Sequence, residues 1–430
     1  MIKNKKFKIE NWTKVDSWAF VSFSLAIFLG AYIFGMASIA TTWVKIPPIF
    51  RSILLSWAPL WEIIGIAVAG PLSDAIGRKH VFYITMAMYG IGAVGIVFSY
   101  TYYLVLFFLA LLLFSAGGEM NTTLAFSQEV MPKQHRSSAM LLALNFVALG
   151  GLVLAAISYS AAYAAVIFQR AMVAATIIVV LFVLIISRAY LPESYLWLAS
   201  RGRKKEAEAD ALKYYGEDIS AERVNESRYL NNKKELDKTE HIPLKLFATI
   251  TTAFAGTTGF GLIAYVLGPV FFPSLTITIL LVSDLAAFLV GFIGFFGEKI
   301  GRKNMLLYGY IGSLIFTIIV YLSIGTWTVY LTYFWFLVIA LNAFIQLGYI
   351  AEDTLKSEVW STRHRGSYTA VARFLGIGLY IPTIYLTASY TLHQYILFNI
   401  IVWIIGSAGA IVWYFLGYET GKGKSLEADA

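Results

Sequence analysis

The sequence predicts an all-α polytopic membrane protein with twelve transmembrane helices in two related six-helix bundles. Three observations predict it. Hydrophobic residues make up 59% of the 430 residues and charged residues only 13%, about half the charge of a soluble domain. Twelve apolar stretches are each long enough to cross ~30 Å of hydrocarbon as a helix. Two charged decapeptides recur at matching places in the two halves.

The composition also excludes. A soluble chain of this length splits into domains with charged surfaces, and the charges here are too few to cover them. An ordinary cytosolic enzyme, a disordered chain, collagen and a coiled coil are all ruled out. Cysteine is absent, which removes disulfides, thiolate metal sites and cysteine nucleophiles. The net charge of +8 lies mostly in short runs between apolar stretches, so no nucleic-acid partner is expected.

The stretches, numbered α1 to α12 in chain order, run 17–40, 52–72, 80–100, 102–125, 138–161, 169–191, 244–268, 275–296, 304–324, 328–350, 367–388 and 394–416. Barrel strands would alternate over ~10 residues. These stretches are continuous, and in lipid a lone segment satisfies its backbone only as a helix. Ten prolines in 430 residues suit long helices.

Twelve spans put both termini on one side. The basic residues on the opposite side are Lys45, Arg51 and Arg170, out of 33. That asymmetry predicts cytoplasmic termini in the plasma membrane. Lys3, Lys5, Lys6 and Lys8 precede a first stretch too long for a signal peptide and without a cleavage site, so α1 is expected to be retained. The expected organisation is a bundle at 1–196, a linker at 197–243, a second bundle at 244–416 and a tail at 417–430. Alternating charges from Arg203 to Glu208 read as amphipathic helix on the inner face.

The repeat is specific. Gly70-Pro71-Leu72-Ser73-Asp74-Ala75-Ile76-Gly77-Arg78-Lys79 lies between α2 and α3. Gly294-Phe295-Phe296-Gly297-Glu298-Lys299-Ile300-Gly301-Arg302-Lys303 lies between α8 and α9, at a constant offset of 224. Glu129 precedes Arg136 by seven residues, as Glu358 precedes Arg365. Glycines permit tight helix ends, an acid there can accept from a helix N-terminus or pair with arginine, and Arg-Lys holds the turn on the basic face. Two related bundles are the usual build of a secondary transporter.

At these residues the chain resembles the major facilitator superfamily. Gly70 to Lys79 is similar to its loop 2–3 signature, and Glu298 to Lys303 to the second copy. Pro192-Glu193-Ser194-Tyr195-Leu196-Trp197-Leu198 resembles the segment after helix 6 in sugar porters and organic ion transporters. Glu129, Pro132 and Arg136 match the end of helix 4 in those families; Ser361 stands where the second copy usually has Pro. Gly117 to Asn121, Ser127 to Glu129 and Asn145 to Gly150 are similar to the niacin-transporter and synaptic-vesicle-glycoprotein-like branch. Arg373-Phe374-Leu375-Gly376 resembles an Arg-x-x-Gly of organic-anion transporters. The resemblance implies two bundles rocking about a midplane site. It also implies an inner gate built from Gly70, Asp74, Gly77, Arg78, Lys79, Glu129, Arg136, Gly294, Glu298, Gly301, Arg302, Lys303, Glu358 and Arg365. Sugar porters carry Asp in helix 1, where Ala37 stands. Their proton-coupled members pair it with an Arg in helix 4, where Leu109 stands. Thr257 and Thr258 lie where paired glutamines are usual.

A charge inside a span is a functional candidate. At ~1.5 Å per residue, Glu119, Arg373, Glu62 and Asp284 lie roughly 15, 12, 18 and 21 Å in from the turns that follow or precede them. The resemblance puts α1, α4, α7 and α10 around the cavity and α2 beside α11, so Glu62 is expected near Arg373. The candidate solute ligands are Glu119, Asn121, Asn145, Asn342, Gln346 and Arg373. The candidate proton carriers are Glu119, then Glu62 and Asp284. The competing reading makes Glu62–Arg373 a structural pair and the amides helix–helix glue. The histidines are scattered beside loops, and no metal or cofactor is expected.

The expected function is therefore secondary transport of a small polar solute, with a lipid bilayer around a monomer and protons as the coupling ion. No Walker motif is present. Arg373 favours an organic anion such as a carboxylate; sugar uptake is the alternative. A solute sensor that does not translocate is a second class, and a membrane enzyme a third, for which no nucleophile–base motif stands out.

Overall fold

The computed structural model describes residues 12–44, 51–131, 133–215, 241–360 and 365–420. Twelve helices within them are long and apolar enough to span: α1 Lys14–Ala40, α2 Ser52–Ile76, α3 Arg78–Val97, α4 Tyr102–Ser127, α5 Ser138–Ser160, α6 Val166–Ala189, α7 Ile242–Phe271, α8 Pro273–Phe296, α9 Arg302–Leu322, α10 Leu331–Glu358, α11 Ser367–Thr387 and α12 Leu392–Leu416. No strand occurs among the described residues. The expected twelve spans are all found. α10 runs eight residues beyond the expected end, because Glu352, Asp353 and Lys356 form ion pairs inside the protein and do not need water.

Local sequence explains the ends. Thr13 accepts from Asp16 N–H and Asp16 accepts from Thr13 N–H, a capping box that starts α1. Thr391 and Gln394 start α12 in the same way. Gly77 and Gly301 end their helices at φ 100° and 86°, a conformation that costs other residues energy. Four breaks interrupt the spans. α5 is interrupted between Leu144 and Phe146, α7 passes through a π-helical turn at Leu262–Val266, α8 tightens to 3-10 geometry at Phe292–Phe296, and α11 is interrupted between Gly378 and Tyr380.

Within the first half α1 packs on α4, α5 and α6, and α2 on α4; within the second α7 packs on α12 and α11, and α9 on α10 and α12. Across the halves α2 meets α11 and α5 meets α8. The end that carries the Gly-Arg-Lys turns is called the inner end. At the other end Arg170 donates to the carbonyls of Ser99 and Trp43, tying together the ends of three helices of the first half. Of the other basic residues expected on that side, Lys45 and the Arg51 side chain lie outside the described residues. The linker forms helices at Tyr195–Ser200 and Lys204–Tyr215, with an exposed Arg203–Glu206 pair; residues 216–240 lie outside the described residues.

Candidate functional site

The inner turns come first. Arg78 opens α3, donates to Asp74 at 2.8 Å and pairs with Glu129 of α4 at 2.9 Å. The Glu193 carboxylate accepts from the N–H groups of Arg78 and Lys79, both at 3.2 Å, and so caps α3. Lys79 Nζ donates to Leu191 O at 2.8 Å. Burial pushes the Glu193 carboxyl up from its ordinary value, opposed by those backbone donors and by Arg78. The second half repeats the device. Arg302 pairs with Glu358 at 3.3 Å. Glu419 accepts from Arg302 N–H at 2.8 Å and Lys303 N–H at 3.4 Å, and Lys303 Nζ donates to Gly417 O at 2.9 Å. The side chains of Arg136, Glu298 and Arg365 lie outside the described residues, as do Pro132 and Ser361. Gly70 accepts from Ser73 Oγ through its carbonyl, and Gly294 lets Leu141 of α5 approach α8.

The two halves touch at both ends. At the inner end Ser367 of α11 donates twice to Asp74 of α2. At the outer end Ser56 of α2 and Tyr385 of α11 share a 2.7 Å hydrogen bond, and Ser38 of α1 lies 3.4 Å from the Tyr265 carbonyl of α7. Between these contacts is a cavity of about 110 Å³. Ligand pockets begin near ~300 Å³, so the cavity as it stands is smaller than a usual ligand site.

Both halves line the cavity: Gly30 and Phe34 of α1, Glu62 of α2, Met120 of α4, Val147 of α5, Thr257, Phe260 and Tyr265 of α7, Asp284 of α8, Gln346, Tyr349, Asp353 and Lys356 of α10, and Arg373 of α11. Arg373 Nη1 donates to Asp353 at 2.8 Å, and Nη2 lies 3.7 Å from Glu62, as expected from the resemblance. Lys356 pairs with Asp353 at 2.7 Å and Glu352 at 2.9 Å. Three acids thus hold two cations.

The structure redistributes the candidate ligands. Glu119 is not on the cavity wall: fully buried, it pairs with Arg188 of α6 and accepts from Thr85 of α3. Asn121 is also buried away from the wall. Asn342 donates to Ser283 and to the Val338 carbonyl, joining α10 to α8 within one half. Asn145 donates to Phe288 O and accepts from Gln346, so it bridges the halves. Gln346, Arg373, Glu62 and Asp284 do line the cavity. Arg373 is not a free clamp for a carboxylate, because Asp353 and Glu62 already occupy its guanidinium. The organic-anion reading loses its main support there.

Four side chains are missing from the sequence-based expectation. Asp353 and Lys356 lie beyond the expected end of α10. Arg188 sits at the end of α6, where a basic residue reads as a positive-inside marker. Glu419 has a visible signal: Leu191-Pro192-Glu193-Ser194 and Gly417-Tyr418-Glu419-Thr420 stand 226 residues apart.

No group of three or more metal-ligating side chains occurs among the described residues. Comparison with known proteins identifies the architecture. The family model described as "Sugar (and other) transporter" matches residues 48–428. The glucose transporter GlcP of Staphylococcus epidermidis is 25% identical over 363 residues, covering 78% of each chain. The structure of the proton:xylose symporter XylE bound to 6-bromo-6-deoxy-D-glucose is similar with a TM-score of 0.76 at 18% identity, over 96% of this chain and 97% of that one. For the inward open conformation of XylE from E. coli the TM-score is 0.69, at the same identity and coverage. The fold is thus the twelve-helix major facilitator fold, and the protein is a multi-pass membrane transporter, not an enzyme. This chain belongs to the sugar (and other) transporter family.

Proposed function

We propose that the chain is a monosaccharide porter of the plasma membrane, with cytoplasmic termini, driven by protons and working by alternating access. One observation carries the choice of a neutral solute over an anion. Both cations of the cavity wall are held by a larger number of acids from the same protein. An anion entering there meets net negative charge in a medium of low dielectric. A sugar needs only neutral hydrogen bonds and apolar faces, which Gln346, Thr257, Phe34, Phe260 and Tyr349 offer. The family membership and the glucose and xylose named for the relatives support the same reading. The organic anion is therefore set aside in favour of the sugar.

Counterflow in proteoliposomes tests it. Vesicles preloaded with D-glucose or D-xylose are expected to take up the labelled sugar transiently, and vesicles preloaded with benzoate to take up no labelled benzoate. Benzoate exchange without sugar exchange would reverse the assignment. Sugar binding without exchange would make the protein a sensor.

A further inference from the structure

Most buried carboxyls of the described helices have a cation beside them, and Asp16 instead closes the capping box that starts α1. Glu62, Glu119, Glu129, Glu352, Asp353 and Glu358 each have an arginine or lysine within 4 Å. Asp284 has none among the described residues. It is 2% exposed, lies on the cavity wall, and its Oδ2 has no hydrogen-bond partner.

Its seat is equally specific. A Cβ built on Gly151 of α5 would stand 2.2 Å from Asp284 Oδ2. A larger residue there would push the carboxyl out of its present place. The seat belongs to the first half and the carboxyl to the second, so the contact lies on the seam along which the halves move.

The surroundings offer no compensating charge. From α10, Glu352, Asp353 and Lys356 are paired with one another or with Arg373, and Tyr349 is neutral. Across the cavity, Glu62 and Arg373 face each other. Tyr265 approaches from α7. The α5 segment Phe146–Ser160 carries one titratable group, Tyr159, exposed at its far end. A bare carboxylate seated on Gly151 would add a charge to a set that is already acid-rich, at the cost of an unpaired ion buried in the protein. A carboxylic acid needs no counter-ion. When the halves part, water enters the cavity and solvates the ion.

We propose that Asp284 is the proton carrier of this transporter and that Gly151 is the seat that closes on its protonated form. The carboxylate binds a proton from water on one side, the neutral acid rides through the closed state, and the proton leaves to water on the other. No covalent bond changes. The proposal rests on the transporter reading above and is independent of which solute moves.

Two measurements decide it. The first is infrared difference spectroscopy of the purified protein between acid and alkaline pH, with no solute present. The wild-type spectrum is expected to hold a protonated-carboxyl carbonyl-stretch component that Asp284→Asn lacks, over the bands that the other carboxyls give in both. Identical carboxyl bands in the two spectra overturn the proposal even if sugar transport fails altogether. The second uses D-glucose in proteoliposomes. Asp284→Asn is expected to lower the ratio of accumulation driven by a pH gradient to counterflow exchange by about tenfold or more. An unchanged ratio, or wild-type exchange without any gradient-driven accumulation, overturns it. If Asp284→Asn does not fold, Gly151→Ala serves instead. It crowds the seat and is expected to shift the pH at which the infrared band disappears; an unshifted band contradicts the role of the seat.

Discussion

Asp74 in α2 and Ser367 in α11 tie the two halves together at the inner end. The Ser367 hydroxyl donates to Asp74 Oδ2 over 2.7 Å, and its N–H donates to the same oxygen over 3.2 Å. The other oxygen takes Arg78 Nη1 at 2.8 Å. One carboxylate therefore links the repeated turn of the first half to the start of α11 in the second.

Ser367→Ala removes the shorter of the two cross-half bonds and leaves Arg78–Asp74 in place. A hydrogen bond to a charged group contributes about 1.5–3 kcal/mol, so the inner end is expected to open about tenfold more often. The chain has no cysteine, so a Thr257→Cys probe on the cavity wall can be read without background. Its labelling by an impermeant thiol reagent from the inner side should rise in Ser367→Ala. An unchanged labelling rate would show that the latch does not hold the inner end.

Glu119 and Arg188 form a pair inside the first half, supported by Thr85 and by Ser22, which accepts from Arg188 Nε at 3.2 Å. Glu119→Gln leaves a buried guanidinium without its counter-ion, at a cost of about 3–5 kcal/mol. The melting temperature in detergent is expected to fall sharply. Adding Arg188→Met is expected to restore most of it. If the double variant melts no higher than the single one, the pair is not the source of the loss.

Arg373 joins Glu62 of the first half to Asp353 of the second. Arg373→Met leaves two acids facing each other in the cavity, and sugar counterflow is expected to fall by about 100-fold, the size of a ~3 kcal/mol loss. Glu62→Gln, which keeps Asp353 as partner, is expected to fall less. Equal losses would show that Asp353 does not hold the guanidinium in place.

Much of this was legible in the chain. Twelve spans, the offset of 224 between the turns and the approach of Glu62 to Arg373 follow from periodicity, repetition and the resemblance. The site was legible only in part. Depth along a helix places Glu119 near the midplane, but depth does not say which face it occupies, and its face turns toward Arg188. Arg373 reads as an anion clamp while its partners are hidden. Asp353 and Lys356 hide because paired charges lower the local hydropathy and make α10 look finished at 350. Asp284 and Gly151 are both visible, but their contact is a property of two helices from different halves.

In the proposed cycle two halves rock about one cavity, so that closing one end opens the other. Pulsed spin-label distances test it most directly on this cysteine-free chain. One pair is placed at the inner end, at exposed Ala75 and Lys299, and one at the outer end, at exposed Tyr103 and Val329. Addition of D-glucose at acid and neutral pH is predicted to lengthen one distance while it shortens the other. Two distances that rise and fall together, or that both stay fixed while sugar exchange proceeds, would contradict the account.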